Sequence, residues 1–147
     1  MASLDLLEDE DLVATGSTRH GRAEYRLTRS IIFETLTIPP GFVTDKYSLP
    51  GRLIPFLWQP KKAKFATPAV IHDWLYETRW FGEGEDAREK ADAILLRAMT
   101  ALRISPWRRW IAWAAVRLGG RAGYGIVDAD NIPLVRAVRP DLEDVLA

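Results

Sequence analysis

The chain has 147 residues, no cysteine and balanced charge, with 20 basic and 20 acidic side chains. This length fits a single domain, residues 1–147, with a substantial core. The lack of cysteine excludes disulfides, a thiol nucleophile and a thiolate metal site. Zero net charge argues against a nucleic-acid-binding protein. We find no signal peptide and no apolar run of about 20 residues, so we expect a soluble protein without a transmembrane segment.

The N-terminal part of the sequence predicts an arm followed by strands. Residues 1–11 are rich in acids and predict a mobile acidic arm or a short helix that docks on a partner, with a frayed terminus as the favoured, simpler interpretation. Between residues 12 and 43, short runs of β-branched and aromatic residues alternate with turn sequences. A small antiparallel β-sheet is therefore expected. Prolines at positions 50, 55 and 60 then predict an apolar loop.

Three helices are predicted after this loop, at about residues 67–79, 86–103 and 106–118. Thr67 is a good N-cap and Pro68 a good first helical residue, so the first helix is expected to begin there. Apolar residues at helical spacing indicate the second helix, and Pro106 begins the third. The remaining tail is expected to be extended, with a short final helical turn. The predicted fold class is α+β, a small N-terminal antiparallel sheet followed by a three-helix core.

The first predicted helix places ionisable side chains among apolar residues. Residues four apart share a helix face, so His72 and Tyr76 are neighbours. Helices joined by a short loop pack antiparallel, so Asp92 of the second helix is expected to face His72. Asp92 would then orient one imidazole nitrogen while the other acts as a base on water or substrate. We therefore predict His72, Asp92 and Tyr76 as catalytic residues.

Two carboxylates are candidate metal ligands. Asp73 follows His72 directly, and Asp45 arrives on a loop whose supporting residues are Thr44 and Ser48. Oxygen ligands of this kind suit Ca²⁺ or another divalent metal, and their spacing does not name the ion. No motif indicates an organic cofactor.

A structural interpretation accounts for the same residues. The alternative partners are a backbone carbonyl for His72, Arg79 or Lys90 for Asp73, and Arg88 for Asp92. In the same interpretation, Asp45 and Ser48 cap a turn. Satisfied buried polar networks often stabilise a core without performing chemistry. The third predicted helix also carries three tryptophans, Trp107, Trp110 and Trp113. We interpret them as core residues rather than as a platform for a ligand.

Several short motifs, taken together, resemble a known family. They are Gly41-Phe42-x-Thr44-Asp45-x-x-Ser48-x-Pro50, Ala69-x-x-His72-Asp73-x-Leu75-Tyr76, Ala91-Asp92, Pro106-Trp107-Arg108 and Val116-Arg117-x-Gly119-Gly120. Their order, over about residues 33–120, is similar to that of a domain-of-unknown-function family common in tailed bacteriophages and prophages. The resemblance implies a phage or prophage origin and no established activity.

A second, local similarity concerns the motif His72-Asp73-x-x-Tyr76 followed by Asp92. It looks like the active-site helix pair of secreted and parvoviral calcium-dependent phospholipases. The similarity implies that His72 activates water, that Asp73 binds Ca²⁺, and that Tyr76 and Asp92 hydrogen-bond around the histidine. The chain departs from that pattern because it lacks the cysteines and a glycine-rich calcium loop before the helix.

Two functions follow from these resemblances. The first expectation is a phage-encoded accessory or virion-associated protein of the tail or neck, with other phage proteins as partners. Such a protein is made in the host bacterial cytoplasm and then carried in the virion. The alternative is a metal-assisted hydrolase, acting on lipid or on the cell envelope, with His72 as general base.

Overall fold

The structure is a computed structural model that describes residues 4–5, 7–19, 22–44, 62–142 and 146. The strands are Leu12–Arg19 (β1), Arg22–Leu27 (β2), Ile31–Phe33 (β3), Leu36–Ile38 (β4) and Val43–Thr44 (β5). The α-helices are Lys62–Thr78 (α1), Glu85–Ala101 (α2), Pro106–Gly119 (α3) and Ile132–Val138 (α4). The predicted α+β class, with an antiparallel sheet ahead of the helices, is confirmed.

The strands form two antiparallel units, a three-stranded sheet in the order β1-β2-β5 and a hairpin of β3 and β4. The hairpin shows the alternation expected of a half-buried strand, since Ile31 and Phe33 are buried and Ile32 between them is exposed. Leu36 and Ile38 complete its buried face. These side chains join the helices in one hydrophobic core.

The core brings α1 against the strands and against α2. Trp74 of α1 is fully buried, and its ring packs edge-on against Phe42 with a centroid distance of 5.2 Å. Helix α2 lies between α1 and α3 in the packing order. The face of α1 that carries His72 therefore meets the face of α2 that carries Asp92. None of the described helices is long and apolar enough to cross a membrane.

Helix α1 begins earlier than predicted, at Lys62 rather than at Thr67. Thr67 and Pro68 are therefore inside the helix, and Thr67 is not its N-cap. Ala63 and Lys64 belong to the strongest helix-forming residue types, which favours continuation on the N-terminal side of the proline. A proline is tolerated more easily in the first turn of a helix than in its middle, which is why Pro68 indicated a helix start. In the structure Pro68 lies inside α1, so this local signal was misleading.

Two leucines of the predicted N-terminal arm pack against the core. Leu4 and Leu7 are buried, and the backbone N–H of Leu7 donates to Thr67 Oγ1 at 3.0 Å. Asp11 accepts a hydrogen bond from the backbone N–H of Glu8 at 2.7 Å, which closes a turn ahead of β1. Burial of the leucines explains why this part of the segment lies on α1 rather than in solvent.

The tail contains a helix where an extended segment was expected, since residues 132–138 form α4. Asn131, just before it, holds the tail to the rest of the domain. Its Oδ1 accepts from the backbone N–H of Val43 at 2.7 Å, and its Nδ2 donates to the carbonyl of Val43 at 2.7 Å. The same Nδ2 donates to Glu77 of α1 at 3.0 Å. These long-range bonds position the tail, and local sequence patterns do not report them.

The prediction that the tryptophans are core residues is wrong for Trp107 and Trp110, whose exposed fractions are 53% and 55%. Trp113 is half-buried. Helix α3 packs on the domain through small side chains, among them the buried Ala112 and Ala115. Small residues let two helices approach closely and leave no room for indoles at the contact, so the tryptophans lie on the other side of α3.

The contact between Leu7 and Thr67 gives a first test. The change Thr67→Val keeps the volume of the side chain and leaves the buried N–H of Leu7 without an acceptor, which typically costs about 1–3 kcal/mol. We expect the free energy of unfolding in urea to fall by this amount. Thr100→Val is the control, because Thr100 is exposed and its hydroxyl bonds only within α2, to Leu96 O. Equal losses in the two variants would contradict the docking of the N-terminal segment through Thr67.

Candidate active site

His72 and Asp92 meet where α1 packs on α2. The distance from His72 Nε2 to Asp92 Oδ1 is 2.7 Å, and both side chains are buried. The contact predicted across the helix pair is therefore present. No residue that the structure describes forms a hydrogen bond with the other ring nitrogen, Nδ1. The geometry thus holds the imidazole by one nitrogen and leaves the second one for other chemistry.

Tyr76 lies one helical turn after His72, and the centroids of the two rings are 4.1 Å apart. Its hydroxyl donates to Asp92 Oδ1 at 2.6 Å, the same oxygen that contacts His72. Burial, and then the hydrogen bond to the Asp92 carboxylate, raise the pKa of Tyr76 above its usual value. Tyr76 therefore remains a neutral hydrogen-bond donor that fixes the orientation of Asp92.

The second oxygen of Asp92 faces two arginines. Arg117 Nη1 of α3 lies 2.7 Å from Asp92 Oδ2, and Arg88 Nη1 of α2 lies 3.5 Å from it. Burial on its own would raise the pKa of Asp92, but the hydrogen bonds from His72, Tyr76 and Arg117 hold that pKa below its usual value. Asp92 is therefore ionised at neutral pH, and it can stabilise a positive charge on His72.

Arg88 connects the candidate site to the end of α3. Its guanidinium donates to the carbonyls of Val116 at 2.9 Å and Arg117 at 3.1 Å, which are among the last in that helix. The Val116 carbonyl also accepts from the backbone N–H of Gly120 at 2.9 Å. Arg88 also pairs with Glu85 through two hydrogen bonds of 3.0 and 3.1 Å. Arg88 and then Arg121 lower the pKa of Glu85 to about 2. The network therefore joins α1, α2 and α3.

Gly120 follows α3 and lies directly against this network. A Cβ atom at this position would be 2.5 Å from the carbonyl oxygen of Val116 and 2.8 Å from the hydroxyl of Tyr76. Atoms do not approach this closely without displacement, so the position requires a glycine. This glycine belongs to the motif Val116-Arg117-x-Gly119-Gly120, and the structure shows that it makes room for Tyr76.

The described residues include only part of the predicted metal site. Asp73 is buried on α1 beside His72 and makes contacts there. Asp45 and Ser48 lie outside the described residues. Thr44 is fully buried at the end of β5, where it pairs with Tyr25 of β2. The roles of Asp73 and Asp45 as metal ligands stay predictions.

The partners that the structural interpretation expects for His72, Asp73 and Asp92 are present only in part. Arg88 does contact Asp92, as the structural interpretation expected. Arg79, one alternative partner of Asp73, forms its ion pair with Glu83 at 2.8 Å. His72 bonds to the Asp92 side chain. The network therefore combines the predicted dyad with arginine contacts that the sequence indicated only partly.

A second group of carboxylates was missed in the sequence. Oxygens of Glu24, Asp128 and Asp130 lie within 4.8 Å of one another. Burial, and then the negative charge of Asp128, raise the pKa of Glu24 above its usual value. The pair Asp128-x-Asp130 is visible in the sequence, but its approach to the distant Glu24 has no local signal. Acidic clusters are common without a metal, so this group alone does not identify a metal site.

Gly120 provides a test of how closely α3 packs on the network. We expect Gly120→Ala to lower the free energy of unfolding by about 1–3 kcal/mol, because the added methyl group meets Val116 O and Tyr76 Oη. Gly123→Ala is the matched control, since no atom lies within 4 Å of a Cβ built there. Thermal and urea unfolding of both variants would measure the difference. A Gly120→Ala protein as stable as its control would contradict the close approach.

Comparison with known proteins places this site within a family. The family DUF1353, described as a protein of unknown function, matches residues 22–116, which include His72, Tyr76 and Asp92. No curated protein and no solved structure matches the chain. The matched region covers most of the chain, from β2 to the last turn of α3. The chain therefore belongs to the DUF1353 family.

Proposed function

We propose that this protein is a hydrolase in which His72 is the general base and Asp92 and Tyr76 are its supporting residues. The observation that carries this proposal is the 2.7 Å contact between His72 Nε2 and the ionised carboxylate of Asp92. A carboxylate behind an imidazole fixes its tautomer and stabilises the imidazolium that forms during proton transfer. This arrangement leaves Nδ1 to accept the proton.

The proposed reaction is hydrolysis of an ester. Nδ1 of His72 takes one proton from a water molecule while the water oxygen attacks the ester carbon. The same nitrogen returns that proton to the departing alkoxide oxygen, so that an acid and an alcohol are released. Asp92 stays ionised throughout, because Tyr76 and Arg117 donate hydrogen bonds to its two oxygens.

A divalent cation, with Ca²⁺ as the first choice, is part of the proposal. Asp73 and Asp45 would be its ligands, with Thr44 and Ser48 supporting the loop. A carboxylate immediately after the base supports this assignment, since hard cations prefer oxygen ligands. When bound, such a cation supplies a positive charge that stabilises the developing oxyanion.

The local similarity to calcium-dependent phospholipases supports a lipid or another ester of the cell envelope as the substrate. The similarity rests on His72, Asp73, Tyr76 and Asp92. The resemblance to a family common in phages supports a phage or prophage as the source of the chain. In this proposal, the protein is an accessory protein that acts on the host envelope during entry or lysis.

The second candidate function is a virion-associated structural protein of the tail or neck, bound to other phage proteins. The observation that favours it is the number of donors around Asp92, which receives contacts from His72, Tyr76, Arg88 and Arg117. Such a fully paired carboxylate holds helices together whether or not it assists a base. In this candidate, the network stabilises the fold and His72 has no substrate.

The hydrolase proposal predicts a loss of activity in His72→Asn. General-base catalysis typically contributes about 10²–10⁴-fold, so we expect a loss of this size in the rate of ester hydrolysis. The assay uses fluorogenic phosphatidylglycerol and phosphatidylcholine, with Ca²⁺, Mn²⁺ or Zn²⁺ added separately. His20→Asn is the matched control, because His20 is the other of the two histidines. Equal rates for His72→Asn and the control, or an inactive wild-type protein, would favour the structural candidate.

The cation gives a separate prediction. We expect calorimetric titration to show saturable Ca²⁺ binding that Asp73→Asn abolishes, because the substitution removes the charge and one ligand oxygen. Asp128→Asn is the control, since Asp128 belongs to the carboxylate group around Glu24. Binding that is lost in Asp128→Asn and kept in Asp73→Asn would assign the cation to the carboxylates around Glu24 and not to a site beside His72. No binding at millimolar Ca²⁺ would remove Ca²⁺ from the proposal.

A further inference from the structure

Helix α3 presents a row of large apolar side chains to solvent. We call this row the α3 stripe; it consists of Trp107, Trp110, Ile111 and Leu118. Their spacing of three, four and seven residues places them on one face of the helix. Leu118 is 88% exposed, and the two tryptophans are more than half exposed. Monomeric proteins seldom expose such continuous apolar surface without a partner for it.

The α3 stripe lies in a strongly basic part of an otherwise neutral chain. Residues 103–127 contain no acidic residue, whereas the whole chain has equal numbers of basic and acidic residues. The basic side chains in this part are five arginines: Arg103, Arg108, Arg109, Arg117 and Arg121. The apolar row and the positive charge therefore occur together, which points to a partner that is both apolar and negatively charged.

Three of these arginines, Arg103, Arg108 and Arg109, form no ion pair within the described part of the chain. The guanidinium of Arg108 lies over the ring of Trp107, 5.1 Å from its centroid. Arg109 donates to the backbone carbonyl of Ile104. Positive charge therefore lies at the end of the stripe that carries Trp107.

We propose that the α3 stripe docks on the surface of an anionic lipid bilayer. Tryptophan is favoured at the level of the lipid headgroups, and basic amphipathic helices with exposed Trp and Leu lie in the plane of that interface. Arginine binds phosphate oxygens in a bidentate manner, which suits anionic headgroups. A second copy of the chain is a poorer occupant, because docking through the same face brings two sets of unpaired arginines together.

This docking goes beyond the proposed hydrolysis and does not depend on it. His72 lies between α1 and α2, whereas the stripe belongs to the solvent-exposed face of α3. Among the described residues, the two features meet at the end of α3, where Arg117 contacts Asp92 and Arg88 contacts the Val116 carbonyl. Membrane binding and catalysis can therefore be lost separately, and separate measurements test them.

The test is cosedimentation of the full chain with vesicles. One set contains phosphatidylglycerol mixed with phosphatidylcholine, and the other contains phosphatidylcholine alone. We expect the wild type to bind the anionic vesicles, and the variant Trp107→Ser/Trp110→Ser to bind them roughly tenfold more weakly or worse. Ile32→Ser is the control, because Ile32 is a 65% exposed apolar side chain that lies on β3, outside the α3 stripe. This control should bind as the wild type does.

The contribution of charge is tested with Arg103→Asn. Arg103 has a φ of 58°, a left-handed conformation that asparagine tolerates, so the change removes the charge with little strain. One arginine near an anionic surface contributes about 1 kcal/mol, so we expect about fivefold weaker binding. Binding of the wild type should also weaken as salt is raised, and it should be weaker on vesicles of phosphatidylcholine alone.

Three results would overturn the proposal. The first is a wild-type protein that does not bind the anionic vesicles. The second is a Trp107→Ser/Trp110→Ser variant that binds as well as Ile32→Ser. The third is a wild-type protein that sedimentation velocity shows to be a dimer and that the double substitution converts to a monomer. The α3 stripe would then be the interface with a second copy of the chain. His72→Asn should bind vesicles normally, so a failure of the hydrolase proposal does not affect this test.

Discussion

Burial of the charge on Asp92 constrains the three long helices more than any other interaction in the described structure. Transfer of an ionised group from water to the protein interior costs several kcal/mol unless hydrogen-bond donors surround it. Removal of one partner from a buried ion pair typically lowers the free energy of unfolding by about 3–5 kcal/mol. Asp92 finds its donors on three elements, with His72 and Tyr76 on α1, Arg88 on α2 and Arg117 on α3. A shift of any one of these helices would break at least one of these contacts. The polar network therefore fixes a relative position that apolar packing alone would specify less sharply.

The same constraint explains why a catalytic and a structural interpretation share one set of residues. A base needs an imidazole held in one orientation next to a charge that stays ionised, and the helix contacts supply both. Arg88 and Arg117 stabilise the ionised form of Asp92, which serves helix packing and proton transfer alike. What distinguishes the two proposals is whether a substrate reaches Nδ1 of His72, a question for kinetics rather than for stability measurements.

The sequence predicted the parts of this protein that follow from periodicity. Spacing along one helix placed His72 beside Tyr76, and a short connection brought Asp92 opposite them, so the centre of the network was predictable. The start of α1 was not, because Thr67 and Pro68 give a local cap signal that the preceding helix-forming residues override. Contacts between residues distant in the chain, such as Asn131 with Val43, were also beyond local patterns. The tryptophans of α3 misled for a different reason: hydrophobicity predicts burial, but it does not state which face of a helix has room.

The amide of Asn131 has a further consequence for the sheet. Among the described strands, β5 lies at the edge of the β1-β2-β5 sheet, and edge strands expose unpaired backbone groups to which another chain can add. The N–H and carbonyl of Val43 point to this open side, and the Asn131 side chain pairs with both, as a neighbouring strand would. One side chain thus imitates a peptide unit and closes the edge at that point. At Val43 the carboxamide therefore occupies the backbone groups to which another strand would add, a role that is separate from holding the tail in place.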